Sequence, residues 1–119
     1  MRLFRSVGFA VAGIRYIAAT EPNWRIDVVC GAAAIILGLV LQLTPAELAI
    51  LALTIGFVLA AEAANTALED AIDAVGVYSE HAKHAKDAAA GAVLVAAITS
   101  VVVGVVLFGP RVLALLWTR

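Results

Sequence analysis

Apolar residues fill most of this chain, and the places where polar residues interrupt them mark out its elements. Over residues 2–19, Arg2, Arg5 and Arg15 fall within one broad arc of a helix, while Leu3, Phe4, Val7, Val11 and Ile14 occupy the rest. That pattern predicts an amphipathic helix lying in a membrane interface, its guanidinium groups toward anionic lipid or phosphate. Glu21-Pro22-Asn23-Trp24-Arg25 breaks the pattern. Pro22 restrains Glu21 toward an extended shape, and Trp24 suits an interfacial anchor. Val28 to Leu43 is a first membrane-spanning stretch, short enough that its helix should begin nearer Trp24. Thr44-Pro45-Ala46-Glu47 has the form of a helix start: Thr44 as N-cap, Pro45 in the first helical position, Glu47 completing a capping box. The second span runs from Leu48 to about Leu68, and its helix continues through Glu69, Asp70 and Asp73. Gly76 to Lys86 is the long polar segment, and Ala88 to Phe108 the third span. Gly109-Pro110 should end or kink that helix, leaving Val112 to Trp117 as a short interfacial tail. The expectation is an all-α protein with a single membrane domain over 1–119: an amphipathic helix at 2–19, then long helices at about 26–43, 47–73 and 87–108.

Composition supports a membrane solvent. Of 119 residues, 64% are hydrophobic and 14% charged, with a mean hydropathy of +1.05, and a small soluble domain cannot hide that much apolar surface. A net charge of −1 argues against nucleic acid as a partner. Cys30 stands alone in an apolar run, so it forms no intrachain disulfide and reads as a small packed or lipid-facing side chain. The N-terminus lacks the pattern of a secretory signal, so the first span is expected to serve as the insertion signal. Arg2, Arg5, Arg15 and Arg25 precede the first span, Lys83 and Lys86 lie between the second and third, and the connection between the first and second has no basic residue. The positive-inside rule therefore places the N-terminal helix and the Gly76–Lys86 segment in the cytoplasm, with Arg111 and Arg119 on the other side of the plasma (inner) membrane.

Glu62 is the residue that turns this outline into a functional question. It lies inside the apolar run and opens a polar row, Glu62, Asn65, Glu69 and Asp73, spaced to form one stripe on a helix. A carboxylate at the edge of a bilayer core is costly and marks a site or a partner. No Lys or Arg occurs between Arg25 and Lys83, so the row must be neutralised by a bound cation, a distant segment or another subunit. Six of the nine acidic residues fall between positions 62 and 87. Hard oxygen ligands of this kind suit Mg²⁺, which takes one or two carboxylates together with substrate phosphates. Partial burial also makes Glu62 a better proton acceptor, as a general base requires. Asn65, one turn on, is placed to orient a substrate, or else to hydrogen-bond a neighbouring helix. Asp70 and Glu80 read as solvated helix-end charges. Lys83 and Lys86 suit either phosphate or the topological charge of a membrane loop, and His81 with His84 supplies too few ligands for zinc. Tyr16, Tyr78 and Trp117 read as interface anchors. Three thin helices cannot enclose a site, so an oligomer that borrows a neighbour's helices is expected.

The same residues resemble the prokaryotic diacylglycerol kinase family, which includes the undecaprenol kinases. Glu62-Ala-Ala-Asn65-Thr66-Ala67-Leu68-Glu69 through Asp73 is similar to the family pattern Glu-x-x-Asn-Thr/Ser-Ala-Ile/Leu-Glu-x-x-x-Asp. Ala85-Lys86-Asp87-Ala88-Ala89-Ala90-Gly91-Ala92-Val93 resembles a second block, and Gly13-Ile14-Arg15 with Thr20-Glu21-Pro22-Asn23-Trp24-Arg25 the first acidic one. The resemblance implies a homotrimeric integral membrane kinase with sites shared between subunits, moving the γ-phosphate of MgATP to a lipid hydroxyl of diacylglycerol or undecaprenol. It implies Glu62 as the base and Glu21 and Glu69 as ligands of Mg²⁺. It implies nucleotide contacts from Asn65, Lys86, Asp87 and Arg2, with Tyr78 as a further contact from the loop. Phe9 stands where some members carry a nucleotide-contacting Tyr, and the Lys86–Val93 stretch leans toward the undecaprenol-using members. Two other readings predict different behaviour: an oligomeric ion transporter or channel with Glu62 as the ion site, and a structural subunit whose polar row only joins helices.

Overall fold

In a computed structural model, which describes residues 1–118, the chain forms four helices: α1 (Arg2–Thr20), α2 (Pro22–Val40), α3 (Pro45–Val75) and α4 (Glu80–Trp117). Three of them, α2, α3 and α4, are long and apolar enough to cross a membrane.

Local chemistry sets each boundary. Glu21 is extended (φ −111°, ψ 98°) and hands over to Pro22 in the first turn of α2, where a missing N–H costs nothing. At the other end of α2, Gln42 takes a positive φ of 59°, and the Leu43 N–H turns back to the Gly38 carbonyl at 2.9 Å. Gly38 makes this turn possible, since a Cβ there would sit 2.7 Å from Leu43 Cδ1. Thr44 then starts α3 with a complete capping box: its Oγ1 accepts from the Glu47 N–H at 3.2 Å, and Glu47 Oε1 accepts from the Thr44 N–H at 3.0 Å. Gly76 ends α3 in the left-handed region at φ 72°. Ser79 starts α4 by accepting from the Ala82 N–H at 3.0 Å.

α4 is longer than its sequence suggests. It starts at Glu80, inside the segment expected to be a loop, and continues through Pro110 to Trp117. Gly109-Pro110 does not end the helix, because membrane helices absorb a proline when neighbouring groups take up the freed backbone. Arg111, the next residue, ties the stretch beyond the proline to the rest of the bundle. Its guanidinium donates to the Leu107 carbonyl at 3.1 Å, to the Leu41 carbonyl at 3.1 Å, and to both Glu47 carboxylate oxygens at 2.8 and 2.7 Å. This fork joins α4, the end of α2 and the start of α3 at one end of the bundle. Arg119 lies outside the described residues.

The buried cluster sits at the same end. Leu43, Leu51 and Leu107 pack together, with Ile35, Leu48 and Val103 around them. Farther along, a Cβ on Gly31 would lie 2.7 Å from Ile55 Cγ2, so α2 and α3 approach closely there. Most remaining apolar side chains are exposed, including Val101, Val102, Val105 and Val106 on α4. Within one chain these have only lipid or another helix to meet. α1 buries no residue at all, and two links hold it: Tyr16 donates to Asp70 Oδ2 on α3 at 2.7 Å, and Arg25 donates to the Ala18 and Ala19 carbonyls at 2.8 and 3.2 Å.

Candidate functional site

The polar row lies along α3 at the end of the bundle opposite Arg111, flanked by α2 on one side and α4 on the other. Its neutralisation comes in part from a distant segment. Lys86 on α4 donates to Asp73 Oδ1 at 2.6 Å and also feels the charge of Glu69. The Asp73 hydrogen bond chiefly, with the Asp73 and Glu69 charges, holds the Lys86 ammonium above its usual pKa, so it stays charged. Glu69 in turn accepts from Asn65 Nδ2 at 3.4 Å. One turn back along α3 the pairing fails: Glu62 Oε2 and Asn65 Oδ1 are buried oxygens with no hydrogen-bond partner. Buried polar atoms are normally paired, and an orphan asks for an explanation. The charged groups facing Glu62 are Asp27 and Glu21, both acidic. The chain therefore concentrates negative charge around two unpartnered oxygens, and among the described residues no cation pairs with them.

Asp27 is the site neighbour that sequence reasoning missed. It sits at the start of an apolar stretch, where a single carboxyl was a signal of the same kind as Glu62, but its facing α3 depends on helix packing that spacing does not encode. Trp24 also reaches α3: its indole N–H donates to the Leu59 carbonyl at 3.2 Å. Asp70, expected to be a solvated helix-end charge, accepts the Tyr16 hydroxyl. That hydrogen bond is the main reason the phenol is held above its ordinary pKa.

The turn between α3 and α4 makes a cavity of about 370 Å³, lined by Asp73, Gly76, Tyr78, Lys83, Lys86 and Asp87. Tyr78, Lys86 and Asp87 thus come together, and Lys86 links them to Asn65 and Glu69. Asp87 is held by Lys83 at 2.7 Å, and that contact lowers its pKa. Arg2 stands apart, exposed in the first turn of α1 with no side-chain hydrogen bond among the described residues. Glu21, the N-cap of α2, lies close enough for its charge to act on Glu62. No group of three His, Cys, Asp or Glu side chains among the described residues is placed to hold a metal. The donors are all oxygens, a set that fits Mg²⁺ held by one or two carboxylates and completed by phosphate.

Such an arrangement can accept a proton at Glu62 and receive an anion at Lys86 once a cation offsets the carboxylates. The chain is also similar to known proteins. A diacylglycerol kinase of Synechocystis sp. is 47% identical over 116 residues, covering 96% of this chain and 66% of that protein, so the chain spans just under two thirds of its length. An undecaprenol kinase of Bacillus subtilis is 38% identical over 111 residues, covering 92% of this chain and 90% of that protein. Residues 8–108, which hold the whole polar row, the α3–α4 cavity and the first acidic block, match prokaryotic diacylglycerol kinase, and the chain belongs to that family.

Proposed function

We infer that this protein is a membrane lipid kinase that transfers the γ-phosphate of MgATP to the hydroxyl of a membrane lipid. Its family and both relatives support the class. The observation on this chain that carries the chemistry is the pair of buried, unpartnered oxygens on Glu62 and Asn65, one helical turn from a Glu69–Lys86–Asp73 cluster. The transporter reading finds no support in the relatives.

In this proposal Glu62 is the base. The lipid oxygen forms a bond to the γ-phosphorus as the bond from that phosphorus to the ADP oxygen breaks, and the hydroxyl proton passes to Glu62. Lys86 meets the phosphates as a point charge, so it must loosen its hold on Asp73 when nucleotide enters. Asn65 orients, and Tyr78 and Asp87 line the cavity beside Lys86. Arg2, at the far end of α1, reaches nucleotide only if α1 lies over the site. Glu21 and Glu69 would hold Mg²⁺, which would neutralise charge on the phosphates. Phosphoryl transfer needs mainly positioning and such neutralisation.

The exposed faces of α3 and α4, and an acidic site open on one side, suit a homotrimer in which neighbouring chains complete each site. The distribution of basic residues supports putting that site on the cytoplasmic face of the plasma (inner) membrane. The two relatives differ in lipid by name, and the Lys86–Val93 stretch favours undecaprenol. Purified protein in detergent, given ATP radiolabelled on the γ-phosphate and both lipids side by side, should label one or both. Proton or cation flux across liposomes without ATP consumption would instead return the ion-site reading.

A further inference from the structure

α1 is the least secured part of the molecule. It buries nothing, and only one of its side chains hydrogen-bonds another helix among the described residues: Tyr16, through its hydroxyl to Asp70. Asp70 follows Glu69 directly on α3. A cavity of about 240 Å³ opens between the two helices, lined by Gly13, Tyr16, Ile17, Thr66, Ala67 and Asp70. Gly13 leaves this space open, since a Cβ there would meet nothing within 4 Å. Thr66, between Asn65 and Glu69 in sequence, is buried at 7% exposure. So α1 covers the flank of the polar row without filling the gap beneath it, and a single phenol–carboxylate hydrogen bond spans the gap.

Resting on the kinase reading above, we propose that Tyr16 and Asp70 are positioning residues: their hydrogen bond latches α1 onto α3 beside Glu69, and so holds Arg2 and the covered flank in place for MgATP. Neither residue touches substrate. The latch is weak enough to open, because a solvent-accessible hydrogen bond with no packing beneath it makes a small net contribution. α1 can therefore lift as a unit on the Glu21-Pro22 joint, where the chain is extended, while Arg25 retains the last carbonyls of the helix.

The test uses the full chain in detergent, with two readouts. Tyr16→Phe and Asp70→Ala should each raise the KM for MgATP about fivefold, the scale of one such hydrogen bond. The KM for lipid and kcat should stay within about twofold of wild type. The double variant should be no worse than either single one, since both remove the same contact. Asp70→Asn keeps an acceptor for the phenol and should restore near-wild-type KM. Hydrogen–deuterium exchange of α1 amides, read without any turnover, should accelerate in Tyr16→Phe and Asp70→Ala while α3 is unchanged. Unchanged exchange in α1 would overturn the latch. Faster exchange with an unchanged KM for MgATP would overturn the positioning role. A wild-type protein that exchanges as expected but phosphorylates no lipid would overturn the kinase reading and leave the latch standing.

Discussion

Replacing Glu62 with Gln should move activity and stability in opposite directions. The side chain is nearly isosteric, so packing between α2 and α3 is kept. The negative charge is lost from a position faced by two more carboxyls, Asp27 and Glu21, and Glu62's buried Oε2 finds no donor among the described residues. Leaving a buried polar group unsatisfied costs about 1–3 kcal/mol, more when it is charged. Since the amide still leaves one polar atom short of partners, a net gain of about 1 kcal/mol is the reasonable scale. In the proposed mechanism catalysis loses its proton acceptor, and a positioned base contributes about 10²–10⁴-fold, or about 3–5 kcal/mol of barrier at 1.36 kcal/mol per decade. The assay pairs initial rates of lipid phosphorylation in detergent with thermal unfolding in the same micelles, and checks nucleotide binding separately. The expected result is a kcat below about 1% of wild type, a Tm equal to or above wild type, and retained MgATP binding. A variant that keeps half its rate would refute Glu62 as the base. One that loses rate and Tm together would show the carboxylate is a structural partner, as in the helix-joining reading.

Glu69→Gln should shift the Mg²⁺ dependence of the rate to higher concentration, and an unchanged titration removes Glu69 from the ligand set. Gly31→Val should lower Tm with little effect on KM for MgATP. The added Cβ would lie 2.7 Å from Ile55 Cγ2, and overpacking of this kind costs about 1–3 kcal/mol; a Tm at or above wild type would mean α2 and α3 are not in close contact. The Glu47–Arg111 fork predicts a pH effect at the end of the bundle away from the polar row, just before the apolar stretch of α3 begins. The guanidinium, helped by the Thr44 N–H, holds Glu47 down to about 2, from an ordinary 4.5. A carboxyl depressed on folding stabilises the fold above its unfolded pKa, and that contribution is lost as pH falls from about 4.5 to about 2. Glu47→Gln should therefore be less stable than wild type at pH 7, with the difference vanishing near pH 2; a difference that persists in acid would contradict the linkage.

Local signals in the sequence were faithful guides to local structure. Thr44-Pro45-Ala46-Glu47 carries the donors and acceptors of the capping box within four residues, and the structure makes both hydrogen bonds. The amphipathic arc of 2–19 and the three apolar stretches each became helix. What sequence could not convey is pairing between helices. Lys86 meets Asp73 across the α3–α4 turn, Tyr16 meets Asp70 across 54 residues, and Arg111 meets Glu47 across 64. Each depends on how helices rotate about their axes, which close approaches such as Gly31 on Ile55 decide. Asp27 was visible as a carboxyl in an apolar run, yet only packing shows that it faces Glu62. Pro110 was expected to end or kink its helix; the helix continues past it, and the Arg111 fork that secures the stretch beyond binds residues far away in the chain.

That fork has a consequence for bilayer thickness. Arg111 is fastened to the α2–α3 turn, and Lys86 lies about 37 Å down the same helix at the α-helical rise, against a hydrocarbon layer of about 30 Å. The depth of the Lys86 ammonium is thus gauged from the opposite leaflet, as though hung from a fixed ceiling. Thinning or thickening the lipid would tilt this rod and carry Lys86 past Glu69 and Asp73, which sit on a separate helix. Acyl-chain length of the host lipid becomes a tuning variable for turnover, independent of the lipid's chemistry as a substrate.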